Sequence, residues 1–538
     1  MITEILLLLV VGLLTGIVWN RKKKQQWFKD LGIPGPEPSL FLGNQLELLD
    51  GPTQAVKRWT KEYGKTFGYF EGVTPVLVTS DLEIIKHVFI TDFKHFMARK
   101  PFPFGPDPES KNFSNVFLAH GQMWKRYRSF MSPMLSTTKL KATTPLITKA
   151  CDTMMDILEE KSKEVKPFDV LPYYQGLTMD VISSTAFGLE IEAQKDPENE
   201  FLVNTKALFK HHNFRREPRY RQALVLMAIM FPSVGSFLFK LFAYLFMLGI
   251  IKFEAFQLGE RLEEVIQERR QCKERGEECP KDFLQYMLDA EVDEVDDLDI
   301  LTIVHDESET PVEMSKMTSG ERRQVKKLTK HETVSNLYVF QNAGFDTTSA
   351  ALAYASYELA LNPEVQRRIQ DELDEQLGNK PPDYEDIGKL VYLSMAFNEV
   401  LRMHPIGPSL VTRLCMERTT ICGLTIPAGM TIMANVEDIH YDPEIWGPTD
   451  PDVFEPERFS KEERARRHPL SFQAFGIGPR NCVGMRLAQV EAKMALARIL
   501  QKFSYEKCEE TEVPLRKVEQ LTVVPENGVT VRLVPREL

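Results

Sequence analysis

Seven cysteines in 538 residues are too few and too scattered for a disulfide framework. They are Cys151, Cys272, Cys279, Cys415, Cys422, Cys482 and Cys508. Such a set fits reduced thiols on the cytosolic side of a membrane. Cys272 and Cys279 come nearest to a metal pair, but their spacing and charged surroundings argue against zinc. Positive charge is also short. With 66 Lys and Arg against 77 Asp and Glu, the net charge of −11 argues against nucleic acid as a main partner. No Gly-x-Gly-x-x-Gly follows a strand, so there is no fingerprint for direct nicotinamide dinucleotide binding. The pattern of a cleaved signal peptide is missing too. Glu4 precedes the apolar run Ile5 to Trp19, and Arg21, Lys22, Lys23 and Lys24 follow it. That order predicts a retained anchor over residues 1–20, with the basic cluster and all that follows in the cytosol. The run is short for a span of about 20 residues. Counting from Met1 and letting the lysines snorkel closes the gap.

The stretch that organises the chain is Phe475-Gly476-Ile477-Gly478-Pro479-Arg480-Asn481-Cys482-Val483-Gly484. Its glycines and proline predict a loop. A helix follows, with Met485, Leu487, Val490, Met494 and Leu496 near helical spacing. A thiolate there is favoured by the free N–H groups of the helix start. Gly478 and Gly484 lack a Cβ, so a flat ligand could approach. Arg480 could pair with an anion on that ligand. A lone cysteine is usually inert, so the weight rests on the spacing of Phe475, Gly478, Arg480, Cys482 and Gly484.

That spacing resembles the haem-ligand signature of the cytochrome P450 family, and Met123 to Pro133 resembles its animal microsomal family-3 branch. The resemblance implies a mainly α fold: one large helix-rich catalytic domain over 41–538, with small sheets. It also implies a transmembrane anchor over 1–20 and a basic, proline-rich hinge over 21–40. Hydropathy periodicity alone gives only a helix-rich chain with minor strands. The resemblance makes Cys482 the axial ligand of haem b (iron protoporphyrin IX). Trp124, Arg128 and Arg413, with Arg480, would meet the haem propionates.

Two further motifs fall in the family's order. A long helix is expected from about Glu332 to Leu361, and within it stands Ala343-Gly344-Phe345-Asp346-Thr347-Thr348. Gly344 and a threonine pair are poor helix formers, and a Thr hydroxyl can bond a backbone carbonyl and bend the helix. The gap would admit dioxygen and water. Thr347 would then hydrogen-bond the oxygen, and Asp346 would help relay protons. Glu399-x-x-Arg402 places two opposite charges on one helix face. The resemblance joins them to Arg458 in a buried network behind the haem loop.

Elsewhere, Val73–Ile85 is expected to form a small strand region. Ile421–Met433 reads as a hairpin, and Val523–Val534 as another turning at Asn527-Gly528. Residues 223–257 are rich in Met and Phe, which suit irregular apolar ligands, and the resemblance places here two helices and a loop that cover the substrate pocket and dip into the bilayer. The acidic and then basic span 286–330 reads as a flexible charged insertion. The sequon Asn112-Phe113-Ser114 is expected to stay unused on the cytosolic side. Lys125 and Arg126 are candidates for a partner-docking face.

Together these imply an endoplasmic-reticulum monooxygenase with a single-pass anchor. It would act on lipophilic xenobiotic, steroid or fatty-acid substrates. O2 would be co-substrate, and NADPH electrons would arrive through NADPH–cytochrome P450 reductase, with cytochrome b5 as a second donor. Two alternatives stand beside it: an oxygen-independent isomerase or dehydratase on the same fold, and a non-catalytic haem-binding sensor. Asp346-Thr347 argues against the first, whose chemistry needs no proton relay.

Overall fold

A helix with apolar side chains all round its circumference is stable only if it is surrounded. The helix Lys330–Leu361 is of this kind, and in this computed structural model most of it is buried from Leu337 to Ala360. The structure describes residues 2–49, 51–102, 105–110, 113–164, 166–210, 219–250, 254–291 and 328–536. The helices that position the site are α1 (Ile2–Gln25), α2 (Gly121–Met134), α3 (Thr137–Lys163), α4 (Leu171–Phe187), α5 (Arg219–Met230), α6 (Pro232–Met247), α7 (Glu254–Glu274), α8 (Phe283–Leu288), α9 (Lys330–Leu361), α10 (Val391–Met403), α11 (Val436–His440) and α12 (Met485–Lys502). Helix α9 packs against α4, α7, α10 and α12. The mainly α expectation holds, and α9 begins two residues before the expected start.

The start of α9 is strongly specified. Thr329 and Glu332 form a reciprocal capping box. The same Glu332 carboxylate takes the Arg126 guanidinium and the Tyr127 hydroxyl (2.8 Å) from α2. An anion at a helix N-terminus is favoured by the dipole, and here it also clamps α2 to α9.

The strands are short: β1 (Thr66–Glu71), β2 (Thr74–Thr79), β3 (Phe168–Asp169), β4 (Thr412–Leu414), β5 (Thr419–Ile421), β6 (Leu424–Ile426), β7 (Thr431–Ala434), β8 (Phe503–Glu506), β9 (Lys517–Glu519), β10 (Val523–Pro525) and β11 (Thr530–Pro535). One sheet has the order β1-β2-β7-β4, with β2 and β7 parallel and the other pairs antiparallel. This corrects three expectations. Of Val73–Ile85 only β2 is strand, because the Asp81 carboxylate caps a helix over Leu82–Lys86. The hairpin at Cys422-Gly423 is β5–β6, with both turn residues at positive φ (48° and 79°); β7 instead joins β2 and β4. The last hairpin does not form. β10 pairs with β9, and β11 with β8 and β3, so the Asn527-Gly528 turn carries the chain from one sheet to another.

The N-terminal run is helical, and Ile5, Leu7, Leu8, Leu9, Val11 and Trp19 are exposed on it. No described helix is long and apolar enough to cross a membrane. The reason is visible in α1: Glu4 and the polar end from Asn20 leave 15 apolar-rich positions, about 22 Å of helix against a hydrocarbon core of about 30 Å. Arg21 is not in the exposed basic cluster. It is buried, donates to Phe41 O (3.1 Å) and Met230 O, and lies over the rings of Phe41 and Phe231. Thus α1 ends against the break between α5 and α6. Two helices are present in this stretch as expected, split at Phe231, whose φ of −136° ends α5 before Pro232 opens α6. The hinge is tied down, with Gly68 N donating to Pro34 O (2.9 Å).

Of the charged span 286–330, the two ends are described. Helix α8 runs to Leu288, and Glu291 bridges Leu328 in parallel. Residues 292–327 lie outside the described residues, as does Asn112 of the sequon.

Candidate functional site

The loop 475–484 is held from both sides by arginines. Cys482 N donates to Phe475 O at 2.8 Å, which closes the loop on itself. Arg128 of α2 donates to Asn481 O and Asn481 Oδ1, both at 2.7 Å. Arg413 of β4 reaches Ile477 O (3.1 Å), and Arg99 reaches Arg480 O (3.1 Å). Arg480 donates to Met97 O (2.7 Å) and Phe117 O (3.0 Å) and lies 5.0 Å over the Trp124 ring. So Arg128 and Arg413 grip the loop 475–484 from α2 and β4, and Trp124 packs under Arg480 of that loop. Arg99 was missed. It lies in no motif, and its place depends on contact with a loop 381 residues away.

These cations have no acid among them. Among the described residues, none of Arg99, Arg128, Arg413 and Arg480 forms an ion pair with a carboxylate. Burial, then mutual repulsion, lowers the pKa of Arg413 and Arg480 well below the usual guanidinium range. Burial also pushes Arg99 down to about 10. Arg413 Nε and Arg99 Nε lack any partner. Buried charge of one sign is costly unless something compensates it.

Cys482 adds the second half of the test. Protein atoms around it push the thiol pKa up, against the Gly484 and Met485 N–H groups and the charges of Arg128 and Arg99. The helix start alone therefore does not make the thiolate; a bound metal ion would. Yet Cys482 keeps accessible surface. An accessible sulfur beside Arg99 and Arg128, in a loop that four arginines without carboxylate partners hold or belong to, fits a flat dianion that carries a metal. Haem b, with two propionates, has that shape and charge.

Helix α9 shows a matching opening. Ala343 is exposed and Gly344 and Thr347 are half-buried, although residues on either side are buried. With the half-buried Ser335 and Val339 on the preceding turns, these positions form one accessible stripe along α9. Thr347 Oγ1 donates to Ala343 O at 2.7 Å, the backbone bond expected of it. Asp346 lies off the stripe. It is buried, its carboxylate accepts from Thr522 Oγ1, and burial pushes its pKa up to about 6.

The charged network is buried as expected. Glu399 Oε2 and Oε1 accept from Arg402 Nε (2.7 Å) and Nη2 (2.8 Å), and Oε1 also accepts from Arg458 Nε (3.2 Å). All three residues are at most 3% exposed. The arginines spend their other N–H groups on the carbonyls of His440, Thr449, Asp450 and Pro451. His440 links this network to the cysteine loop and was not singled out from sequence. Its Nε2 accepts from Gln473 N (2.9 Å), so Nδ1 carries the proton and donates to Arg402 O (3.0 Å). Burial holds its pKa down at about 3, so it is neutral.

Two readings need correction. Gly478 is not a glycine for a ligand's sake. Its φ is +70°, and a Cβ there would lie 2.0 Å from Phe89 O, so the close neighbour is protein backbone. Only at Gly484 would a Cβ stand beside the thiol, 3.9 Å from Sγ. Arg126 is no docking residue: it is 2% exposed and bound to Glu332. The helix period turns it inward from α2 while Lys125 stays half-buried. A surface cleft of about 620 Å³, lined by Lys57, Glu437, Asp450 and Asp452 among others, contains none of the predicted site residues.

The comparisons agree with this geometry. The family model described as Cytochrome P450 matches residues 33–533. Cytochrome P450 3A11 of Mus musculus is 33% identical over 519 residues, covering 96% of this chain and 94% of its own. Cytochrome P450 3A7 of Homo sapiens is 34% identical over 515 residues, covering 95% and 93%.

Proposed function

The chain belongs to the cytochrome P450 family of haem-thiolate monooxygenases, which use O2 and electrons passed through a reductase, and from that premise we propose that it is a membrane-anchored enzyme that hydroxylates lipophilic organic substrates. Its net reaction would be RH + O2 + NADPH + H⁺ → ROH + H2O + NADP⁺. The observation that carries this reading is the accessible Cys482 on a loop where Arg99, Arg128, Arg413 and Arg480 cluster without a carboxylate partner among the described residues. Cys482 would hold haem b, with Arg99, Arg128, Arg413, Arg480 and Trp124 around its propionates and Phe475, Gly478 and Gly484 shaping the loop. The haem would supply the O–O cleavage chemistry, which a thiolate ligand promotes.

The chain's own residues would do the rest. Thr347 Oγ1, now on Ala343 O, can turn to the accessible stripe and hand on a proton. Asp346, with a pKa of about 6, is matched to accept and release protons near neutrality. The Glu399–Arg402–Arg458 network would hold the cysteine loop in place and take no part in turnover. NADPH–cytochrome P450 reductase, with cytochrome b5 as a second donor, would supply electrons at the endoplasmic-reticulum surface. Apolar α1 supports the anchor. Phe237, Tyr244 and Met247, exposed on α6, support a lid that meets the bilayer.

The test is the holoenzyme with reductase in lipid vesicles and a panel of steroids, fatty acids and drug-like aromatics. Substrate-dependent NADPH use with one oxygen atom from O2 in the product supports the reading. Conversion without NADPH would point instead to an isomerase or dehydratase.

A further inference from the structure

Asp346 is a buried acid with one hydrogen-bond donor, and that donor comes from a remote part of the chain. Thr522 Oγ1 donates to Asp346 Oδ2, and both residues are buried. Thr522 sits in the turn between β9 and β10, and its backbone is pinned. Gln520 N donates to Thr522 O (2.9 Å), and Val523 N donates to Ile406 O (2.7 Å). The Tyr354 hydroxyl donates to Val523 O (3.2 Å). The hydroxyl therefore reaches the carboxylate from the side of α9 that packs on β10, whereas the accessible stripe lies at Ala343 and Thr347. Valine would fill the same volume, so the buried hydroxyl serves its hydrogen bond. Among the described residues Asp346 forms no ion pair. Tyr354, two turns along α9, is a titratable group its charge reaches, and that phenol is pushed up first by burial and then by the Asp346 charge.

We propose that Thr522 is a positioning residue for proton delivery: it holds the Asp346 carboxylate on the β10 side of α9, so that the acid exchanges this hydroxyl for water before it passes a proton toward Thr347. The proposal rests on the reading of Asp346 as a relay. It assigns the β9–β10 turn a part in proton traffic.

Two readouts test it on the full-length holoenzyme. The first is the infrared carboxyl band of Asp346, identified by its loss in Asp346→Asn and followed against pH. Thr522→Val removes a donor to the carboxylate, so its midpoint should rise from about 6 by about one pH unit. Thr522→Ser should keep it. Thr522→Ala repeats the test should the valine variant fold poorly. The second readout is peroxide released per NADPH oxidised with reductase and no added substrate. Thr522→Val should change this ratio about twofold, Thr522→Ser should not, and Thr522→Val should add nothing to Asp346→Asn. An unmoved midpoint in the hydroxyl-free variants overturns the proposal, and so do effects that multiply in the double variant. An Asp346→Asn enzyme with the wild-type ratio would instead remove the relay reading itself.

Discussion

Replacing Thr347 by alanine takes one hydroxyl from the accessible stripe of α9 and nothing from the core. The Thr347→Ala enzyme should fold and bind haem normally, yet release more of its reducing equivalents as peroxide. Unchanged coupling, measured as product per NADPH, would remove the proton role of Thr347. Asp346 makes a prediction about stability. Its pKa is raised from 3.8 to about 6, so ionising it in the fold costs on the order of 3 kcal/mol. The cost is absent below about pH 4, grows as pH rises toward 6, and is fully present above. Asp346→Asn should therefore resist urea better than wild type at about pH 7.5, by up to about 3 kcal/mol, and show no advantage at about pH 4. At this scale the sequence revealed what short spacing carries: Cys482 with Arg480, Glu399 with Arg402, Asp346 with Thr347. Arg99, His440 and Thr522 were invisible because their partners lie 381, 33 and 176 residues away. Burial of an acid is equally unreadable from a motif, since it depends on what packs above it.

Elements add a second layer of prediction. Glu399 ties α10 to the segment 446–458, and His440 passes that order on to the cysteine loop. Glu399→Ala would leave the buried Arg402 guanidinium without an anion and Arg458 with only Glu455 at 3.5 Å, and destabilise by about 3–5 kcal/mol. Its expected signature is haem loss at mild denaturant, with little change in turnover per remaining haem. A large fall in turnover per haem would place Glu399 in the chemistry instead. At the N-terminus, Arg21 fastens the end of α1 to the junction of α5 and α6. Deleting residues 2–25 should weaken vesicle binding without abolishing it, because α6 keeps its own exposed apolar face. Complete release of the truncated protein from vesicles would contradict a membrane role for α6. Long helices were legible because period and capping agree over many turns, as Thr329 and Glu332 show at α9. The strands were less so. Three-residue strands such as β9 and β10 carry too little alternation to say which neighbour they join, and the Asn527-Gly528 turn looked the same in either topology.

For the whole molecule, one helix sets the arrangement. The apolar circumference of α9 demands a surrounding core, and its single accessible stripe and the accessible Cys482 lie on packed elements of that core. The arginine cluster then gives the cysteine loop a preference for an anion. The family and the mainly α class followed from sequence, because the cysteine loop, the α9 motif and the Glu-x-x-Arg pair occur in one order. Which positions stay accessible did not, since that depends on what neighbouring side chains leave uncovered.

The most direct test of the account is the visible spectrum of the reduced, carbon-monoxide-bound protein, wild type against Cys482→Ser. A cysteinate-bound haem should give wild type a strongly red-shifted main band that the serine variant loses. A wild-type spectrum without that shift, or a shifted band that survives in Cys482→Ser, would contradict the assignment of Cys482 as the haem ligand.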